Sequence, residues 1–284
     1  MTGANGQLGM ELRRLSANMR DRFIFTDVSE IRGLETVYLD VTNREALRII
    51  AESEEIDAII NAVGYTDTEK AESDPVTAGL INSSAPQDLA EVARERGALL
   101  IHVSSDYVYG GEAFQPYRED YPTAPQGVYA ATKLKGDLAV MASGCRHYIF
   151  RTSWLYSPHG KNFVKTIKRL TAEKDSLKVV FDQVGTPTYA ADLAECILKA
   201  LSVDAPSGVY HFSDEGVCSW FDFACAIRDL SGNQCDIQPC RSDEFPSKVR
   251  RPHYSVLDKS KVRKAFGVKI PHWYDSLVKC MERL

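Results

Sequence analysis

The stretch Gly3-Ala4-Asn5-Gly6-Gln7-Leu8-Gly9, almost at the start of the chain, decides the fold. Its glycines have the spacing G-x-x-G-x-x-G, and Gly9 opens a helical pattern that runs on to Leu15. Glycine lets the backbone turn tightly and approach a pyrophosphate group, which then lies at the N-terminus of the following helix. The stretch therefore predicts a dinucleotide-binding turn between a strand and a helix.

A strand should precede such a turn, and it would be the central strand of the sheet. Only Met1 and Thr2 come before Gly3. We expect residues ahead of Met1 to supply this strand, unless the numbering simply begins late. The alternative is an ordinary glycine-rich turn, and the strands that follow argue against it.

Short apolar runs alternate with helical patterns along the chain, at 23–26, 36–39, 57–61, 98–103 and 147–150. This alternation predicts an α/β fold, a Rossmann-type doubly wound parallel sheet with ligand sites at the carboxyl ends of the strands. A longer helical stretch over 76–96 ends at Gly97, and Pro86 predicts a break or kink inside it.

Acidic residues follow the first two apolar runs. Asp27 lies near the ~20 residues after the turn at which an acid binds the adenosine ribose. Such an acid favours NAD over NADP because it repels a 2′-phosphate, although Arg32 is close enough to offset this. The alternative is that Asp27 is a polar residue in a turn at the end of a strand. Asp40 and Val41 end the next run.

The stretch Tyr129-Ala130-Ala131-Thr132-Lys133 places a phenol and an ammonium on one face of a helix. A nearby cation favours the phenolate and eases proton movement at a group that otherwise titrates near ~10. Upstream, Ser104 and Ser105 follow an apolar strand, and a hydroxyl there could bind a substrate carbonyl. Alone, the tyrosine and lysine could equally belong to a solvated helix face. With the glycine turn and the serines they indicate an oxidoreductase.

The composition is that of a globular protein, with 284 residues, 44% apolar and 26% charged. A net charge of −5 argues against a nucleic-acid partner. No apolar run is long enough to span a bilayer and no leader is evident, so we expect no membrane partner. Seven cysteines without a C-x-x-C pair predict free thiols in a reducing cytoplasm. Histidines and cysteines without zinc spacing predict no metal site.

Together these residues resemble the extended short-chain dehydrogenase/reductases, in which a G-x-x-G-x-x-G turn, an Asn-Ala-Ala/Gly segment, an upstream Ser or Thr and Tyr-x-x-x-Lys form one site. The resemblance runs nearly end to end. It extends to Y-T-D-T-E-K-A-E over 65–72, S-S-D-Y-V-Y over 104–109, F-R-T-S-W over 150–154 and D-Q-V-G-T-P-T over 182–188. It implies hydride transfer from NADPH or NADH to C4 of a keto sugar carried by a nucleotide.

For the chemistry, the resemblance implies that Tyr129 protonates the developing alkoxide. Lys133 would lower the pKa of Tyr129 and hold the nicotinamide ribose, and Ser105, where the family usually has Thr, would bind the C4 oxygen. The implied cofactor residues are Gly3, Asn5, Gly6, Gln7, Leu8, Gly9, Asp27, Asp40, Val41, Val63, Gly64, Tyr65, Thr66, Tyr129 and Lys133. The implied substrate residues are Thr66, Thr68, Ser105, Asp106, Tyr129, Trp154, Asn162 and Arg251.

Several of these residues also have simpler interpretations. Trp154 could be a core aromatic, and Asn162 opens a helix whose N-terminus suits a pyrophosphate. Positive charge is concentrated from Lys248 to Lys264, most of it on what we expect to be a solvated face. Arg251 is the exception, since a planar guanidinium binds a diphosphate with two hydrogen bonds.

We expect two interleaved domains. Residues 1–155 and 188–215 would bind the dinucleotide, and residues 156–187 and 216–284 would bind the sugar nucleotide. The resemblance leaves open whether the chain forms a homodimer.

Two other functions fit the same residues. A nucleotide-sugar 4-epimerase would keep NAD tightly bound and return the hydride to the sugar. A regulatory subunit resembling that of methionine adenosyltransferase would act by binding alone. The D-Q-V-G-T-P-T and R-T-S-W stretches favour the reductase over the epimerase, and the presence of Tyr129, Lys133 and Ser105 fits catalysis better than a binding role.

Overall fold

A computed structural model describes residues 1–245, 247 and 249–284. The first part of the chain forms, in order, α1 (Gln7–Ser16), β1 (Thr26–Asp27), β2 (Val37–Tyr38), α2 (Arg44–Ser53), β3 (Ala58–Asn61), α3 (Thr68–Ser73), α4 (Pro75–Gly79), α5 (Ala85–Arg96), β4 (Leu99–Ser105), α6 (Gly127–Ala142) and β5 (His147–Thr152). The remainder forms β6 (Leu155–Tyr156), α7 (Phe163–Glu173), β7 (Ser176–Val180), β8 (Val184–Gly185), β9 (Thr188–Tyr189), α8 (Ala190–Leu201), β10 (Gly208–His211), β11 (Cys218–Ser219), α9 (Trp220–Leu230), β12 (Asp236–Cys240), α10 (Ser260–Phe266) and α11 (Trp273–Met281).

A parallel sheet organises the first part, and the predicted fold class is confirmed. Four strands lie in the order β10-β5-β4-β3, all parallel, and β1 pairs with β2 in the same direction. Thr2 joins the two groups through parallel bridges to Asn61 and to Thr26. Thr2 therefore lies where a doubly wound sheet has its central strand, and the glycine turn follows directly.

Helices cover both faces of this sheet. On one face, buried apolar residues of α1, α8 and α10 pack against strand residues such as Ile101 and Phe150. On the other face, α2, α5 and α6 pack against Ile59, Leu100 and Ile149. Burial on both faces explains why these strands are continuous apolar runs rather than alternating ones.

A smaller apolar core lies in the second part of the chain. Residues of α7, α9 and α11 pack around the parallel pair β7 and β12, with Phe223 and Leu277 fully buried. Helix α10 instead packs against the sheet of the first part. The domain boundaries stay a prediction, and Lys248, at one end of the predicted basic stretch, is outside the described residues.

The long helix predicted over 76–96 is divided. Between α4 and α5 the chain makes a π-helical turn over Leu80–Ser84, and Pro86 lies in the first turn of α5. Proline has no N–H to donate, so widening the preceding turn accommodates it. Helix α5 ends, as predicted, with Gly97 in a left-handed conformation at φ 66°. Among the described residues, no helix is both long and apolar enough to cross a bilayer.

Candidate active site

The glycine turn is shaped by close backbone contacts. Gly3 has φ +71°, and a Cβ on Gly9 would lie 2.3 Å from the carbonyl oxygen of Gly3. Gly6, in contrast, is exposed, and a Cβ there would have the Gly3 oxygen at 3.4 Å. Helix α1 begins immediately after Gly6. The turn thus presents open backbone at a helix N-terminus, the arrangement that suits a pyrophosphate.

Asp27 lies at the end of β1 beside this turn. Its Oδ2 accepts a hydrogen bond from the Asn5 N–H at 3.0 Å, and its Oδ1 accepts from the backbone and hydroxyl of Ser29 at 3.0 and 2.8 Å. Asp40 is engaged in its own turn, where Oδ1 accepts from the backbone and hydroxyl of Thr42. Asp27 is therefore oriented by the turn itself, whereas Asp40 caps the loop that leads into α2.

The segment after β3 is fixed by a residue that sequence analysis missed. Asn82, fully buried in the π-helical turn, accepts a hydrogen bond from the Tyr65 N–H at 2.9 Å and donates to the Tyr65 carbonyl at 3.1 Å. Its amide also donates to the Thr132 hydroxyl at 3.3 Å. Val63, Gly64, Tyr65 and Thr66 are thereby held against α6. The one signal in the sequence was a polar stretch, Asn82-Ser83-Ser84, shortly before Pro86 inside an otherwise helical pattern.

Ser105, Tyr129 and Lys133 come together at the carboxyl end of β4. The Ser105 hydroxyl and the Tyr129 phenol are neighbours in the site. The Lys133 side chain is buried, and its Nζ donates to the Val103 carbonyl at 2.7 Å. Tyr129 and Lys133, which the helical spacing placed on one face, therefore both lie beside the carboxyl end of β4.

The protonation of these groups is set mainly by burial. Burial raises the pKa of Tyr129 to about 12, although the neighbouring Ser105 hydroxyl lowers it. Burial lowers the pKa of Lys133 to about 8, and the Asp137 carboxylate opposes that change. The pKa of Tyr129 is therefore raised by burial, and the lowering effect of Lys133 stays a prediction. A tyrosine with this pKa is a protonated phenol at neutral pH and can donate a proton.

Asp106 is a second titratable group at this position. It is buried, and burial raises its pKa to about 7 even though the neighbouring hydroxyls of Ser105 and Ser255 oppose the change. Its Oδ1 accepts from the Ser105 hydroxyl at 3.1 Å. Its Oδ2 has no hydrogen-bond partner among the described residues. Such an oxygen can accept a hydrogen bond from a bound hydroxyl group.

Trp154 borders the site from the second part of the chain. Its indole stacks on Trp220 with ring centroids 3.6 Å apart, and its backbone has φ 48°, unusual for a residue other than glycine. A Cβ on Gly185 would lie 2.8 Å from the Trp154 ring, so the absence of a side chain there leaves room for the indole. Trp154 is therefore held in one orientation by its neighbours.

A cavity of about 820 Å³ opens beside this tryptophan pair. Apolar rings such as those of Phe163 and Trp220 form part of its walls. The walls also contain the cations Lys178, Arg250 and Arg251, together with His253. One Arg251 nitrogen lies 3.8 Å from a carboxylate oxygen of Glu69 on α3. Helix α3 begins at Thr68, and Thr66 lies two residues before it. An apolar cleft with cations at its rim suits an aromatic base joined to a diphosphate.

Asn162 serves the fold through all its polar atoms. Its Oδ1 accepts from the Lys165 N–H at 3.1 Å and caps α7, and its Nδ2 donates to Gln7 Oε1 at 2.8 Å. It thus contacts the glycine turn, and its predicted contact with substrate stays a prediction. No group of three or more His, Cys, Asp or Glu side chains suited to a metal occurs among the described residues.

Comparison with known proteins gives one consistent result. The family model described as the RmlD substrate binding domain matches residues 1–284. The dTDP-4-dehydrorhamnose reductase of Escherichia coli strain K12 is 36% identical over 295 residues, covering 99% of this chain and 96% of that protein.

Two solved structures are similar over the whole chain. A dTDP-4-dehydrorhamnose reductase of Clostridium acetobutylicum is 38% identical with a TM-score of 0.92, covering 99% of this chain and 97% of that one. The Bacillus anthracis dTDP-4-dehydrorhamnose reductase, solved in complex with NADP, is 32% identical with a TM-score of 0.89, covering 100% of this chain and 98% of that one.

Proposed function

Since the chain belongs to the family of dTDP-4-dehydrorhamnose reductases, within the extended short-chain dehydrogenase/reductases, we propose that it uses NADPH or NADH to reduce the C4 keto group of dTDP-4-dehydro-L-rhamnose to dTDP-L-rhamnose. The observation that carries the proposal is the grouping of Ser105, Tyr129 and Lys133 at one strand end. This grouping lies on the same sheet edge as the glycine turn, which fits a dinucleotide.

The reaction needs a hydride, which the dihydronicotinamide supplies to C4, and a proton for the carbonyl oxygen. Tyr129 is the proton donor in our proposal, supported by the raised pKa that keeps its phenol protonated. Ser105 donates to the same oxygen and orients the ketone. Positioned proton transfer of this kind contributes typically ~10²–10⁴-fold to a rate.

Lys133 supports this step in two ways. Its ammonium stabilises the negative charge that remains on Tyr129 once the proton has moved, and it donates to the ribose hydroxyls of the cofactor. Asp106 accepts a sugar hydroxyl through the oxygen that has no partner among the described residues. The thymidine diphosphate half lies in the cavity beside Trp220, with Arg251 on the diphosphate.

The domain division follows from the same proposal. Residues 1–155 and 188–215 would hold the cofactor, and residues 156–187 and 216–284 the sugar nucleotide. The reacting groups would lie where the two meet, between the sheet edge and the tryptophan pair.

The direct experiment follows NADPH and NADH oxidation by absorbance, with dTDP-4-dehydro-L-rhamnose supplied fresh by the preceding epimerase. We expect oxidation of cofactor matched by formation of dTDP-L-rhamnose. Folded protein that binds NADPH yet oxidises neither cofactor would contradict the proposal. Tightly bound NAD that survives purification would then point to the epimerase, and stable co-purification with a larger enzyme to the binding subunit.

A further inference from the structure

A chain of buried polar side chains runs beneath the active site and is not needed for the proposed proton transfer itself. It links Thr2, Asn61, His102, Asp137 and Arg151, each at most 4% exposed. Thr2 donates to Asn61 Oδ1 at 2.9 Å, and the Asn61 amide lies 3.1 Å from His102 Nδ1. Arg151 Nε donates to Asp137 Oδ2 at 3.0 Å. We call this set the buried polar chain.

The hydrogen bonds fix the tautomer of His102. Asn61 Oδ1 accepts from the Thr2 hydroxyl and from the Val63 N–H, so the Asn61 amide nitrogen must face the imidazole. His102 Nδ1 therefore accepts, and Nε2 carries the hydrogen of the neutral ring. Nε2 lies 3.7 Å from Asp137 Oδ1, and neither atom has a hydrogen-bond partner among the residues described.

Asp137 lies one helical turn beyond Lys133 on α6, so the two side chains share a face. Lys133 is buried with Nζ on the Val103 carbonyl of β4. The other groups around this position are Tyr129 on α6, Ser105 and His102 on β4, Asp106 just after β4, and Arg151 on β5. Arg151 is a second buried cation, and it also donates to the Tyr109 hydroxyl at 2.8 Å. Asp137 pairs with Arg151 through Oδ2 and shares a helix face with Lys133.

Resting on the proposed function, we propose that Asp137 is a positioning residue whose carboxylate, oriented by Arg151, keeps the buried ammonium of Lys133 charged for cofactor binding. Asp137 does so without touching the reacting atoms. A buried ammonium is costly without an opposite charge, and the Val103 carbonyl supplies only a dipole.

The sign of the expected pH effect follows from the charges. The Asp137 carboxylate raises the pKa of Lys133 and so opposes the effect of burial. Removing that charge lets Lys133 lose its proton at lower pH. A nearby opposite charge shifts a pKa by roughly one unit or more. The alkaline decline in NADPH affinity should therefore move to lower pH by about one unit in Asp137→Asn.

The experiment measures the dissociation constant of NADPH by fluorescence from neutral to alkaline pH. Asp137→Asn should show the displaced decline, and Asp137→Glu, which keeps the charge, should stay near wild type. Asp192→Asn is the matched control, because Asp192 is a buried acid on α8 that hydrogen bonds Ser276. Its decline should coincide with that of the wild type.

An unshifted decline in Asp137→Asn, with or without a loss of thermal stability, overturns the inference, as does a wild-type affinity with no alkaline decline. If Asp137→Asn does not fold, Asp137→Ser takes its place, since it leaves room for water beside Arg151. Failure of both uncharged variants to fold would also overturn the inference, because Asp137 would then serve folding. Wild-type protein that binds NADPH but reduces no keto sugar would contradict the proposed function and leave the inference about Asp137 standing.

Discussion

The Oε1 atom of Gln7 accepts a hydrogen bond from Asn162 Nδ2 at 2.8 Å, which ties the glycine turn to the first turn of α7. The Ser157 hydroxyl donates to the same oxygen at 3.2 Å. Two segments far apart in the sequence thus hold one another at the place where a dinucleotide would lie. The Gln7 side-chain amide thus links the cofactor turn to the second part of the chain.

Two substitutions separate the two roles of Asn162. Asn162→Ala removes both the helix cap and the contact with Gln7, and should lower the free energy of unfolding by about 1 kcal/mol. Asn162→Ser keeps a capping oxygen and should retain most of that stability. Both should weaken NADPH binding, because the turn is no longer held. Urea unfolding measures the free energy of unfolding, and titration measures NADPH affinity. If Asn162→Ser binds NADPH as tightly as the wild type, the contact with Gln7 does not support cofactor binding.

The glycine turn offers a matched pair at Gly6 and Gly9. A methyl group on Gly9 would meet the Gly3 oxygen at 2.3 Å, so Gly9→Ala should lower the free energy of unfolding by at least about 1–3 kcal/mol. Gly6→Ala should fold normally but bind NADPH roughly tenfold more weakly, a cost of about 1.4 kcal/mol, since its methyl covers exposed backbone. Thermal unfolding tests the stability of Gly9→Ala, and titration with NADPH tests the affinity of Gly6→Ala. Normal NADPH affinity in Gly6→Ala would remove the turn from the cofactor site.

Asp27 should control the choice between the two cofactors. Asp27→Ala removes a carboxylate beside Asn5, and the ratio of NADPH to NADH affinity should rise because repulsion of a 2′-phosphate is relieved. Asp40→Ala is the control, since Asp40 hydrogen bonds Thr42 within its own turn. Dissociation constants for both cofactors measure the ratio. An equal change in both variants would count against a specific role for Asp27.

Tyr129→Phe should lose turnover by about 10²–10⁴-fold while NADPH affinity stays nearly unchanged, because only the proton donor is removed. Tyr121→Phe, at an exposed tyrosine, serves as the control for the substitution itself. Steady-state rates with the keto sugar, together with cofactor titration, give both quantities. Turnover close to wild type would mean that another group supplies the proton.

Asp106 should make stability depend on pH. Its pKa is raised by burial from 3.8 to about 7, so its contribution to stability is full below about pH 4 and is lost as pH rises through about 7. Asp106→Asn has no such loss, and its free energy of unfolding should therefore improve relative to wild type between about pH 5 and about pH 7.5. Urea unfolding of both proteins at about pH 5 and about pH 7.5 measures the difference in their free energies of unfolding.

Asp182→Asn is the control for that experiment. Burial opposes the change, but hydrogen bonds from Ser242 lower the pKa of Asp182, so its contribution is constant above about pH 4. The difference between Asp182→Asn and wild type should not vary over the tested range. A pH-independent difference in Asp106→Asn as well would show that Asp106 titrates like an exposed carboxyl.

The family, the fold class and several element boundaries could be predicted from local patterns, and they are confirmed. The end of α5 at Gly97 and the break near Pro86 were predicted and are observed, because glycine and proline act on the backbone next to them. The first strand was predicted over 23–26 but is limited to β1, since its pairing depends on Thr2 and β2. The length of β1 therefore depends on segments that are distant from it in the chain.

The electrostatics of the site could not be predicted from spacing. A helix pattern puts Tyr129 and Lys133 on one face but does not reveal how deeply each is buried, and burial determines both pKa values. The same applies to Asn82 and His102, whose partners come from other elements. Their roles depend on distances between segments, and no local periodicity encodes such distances.

The stacked indoles of Trp154 and Trp220 give the molecule an optical reporter of its own. They are two of its three tryptophans, and the 3.6 Å between their rings is close enough for their excited states to couple. Coupled indoles produce a paired band in the far-ultraviolet circular dichroism and change one another's emission. Because Trp220 forms part of the cavity wall, a ligand that parts or tightens the stack changes both signals. Occupancy of the cavity can therefore be followed in unlabelled protein, without any chemical turnover.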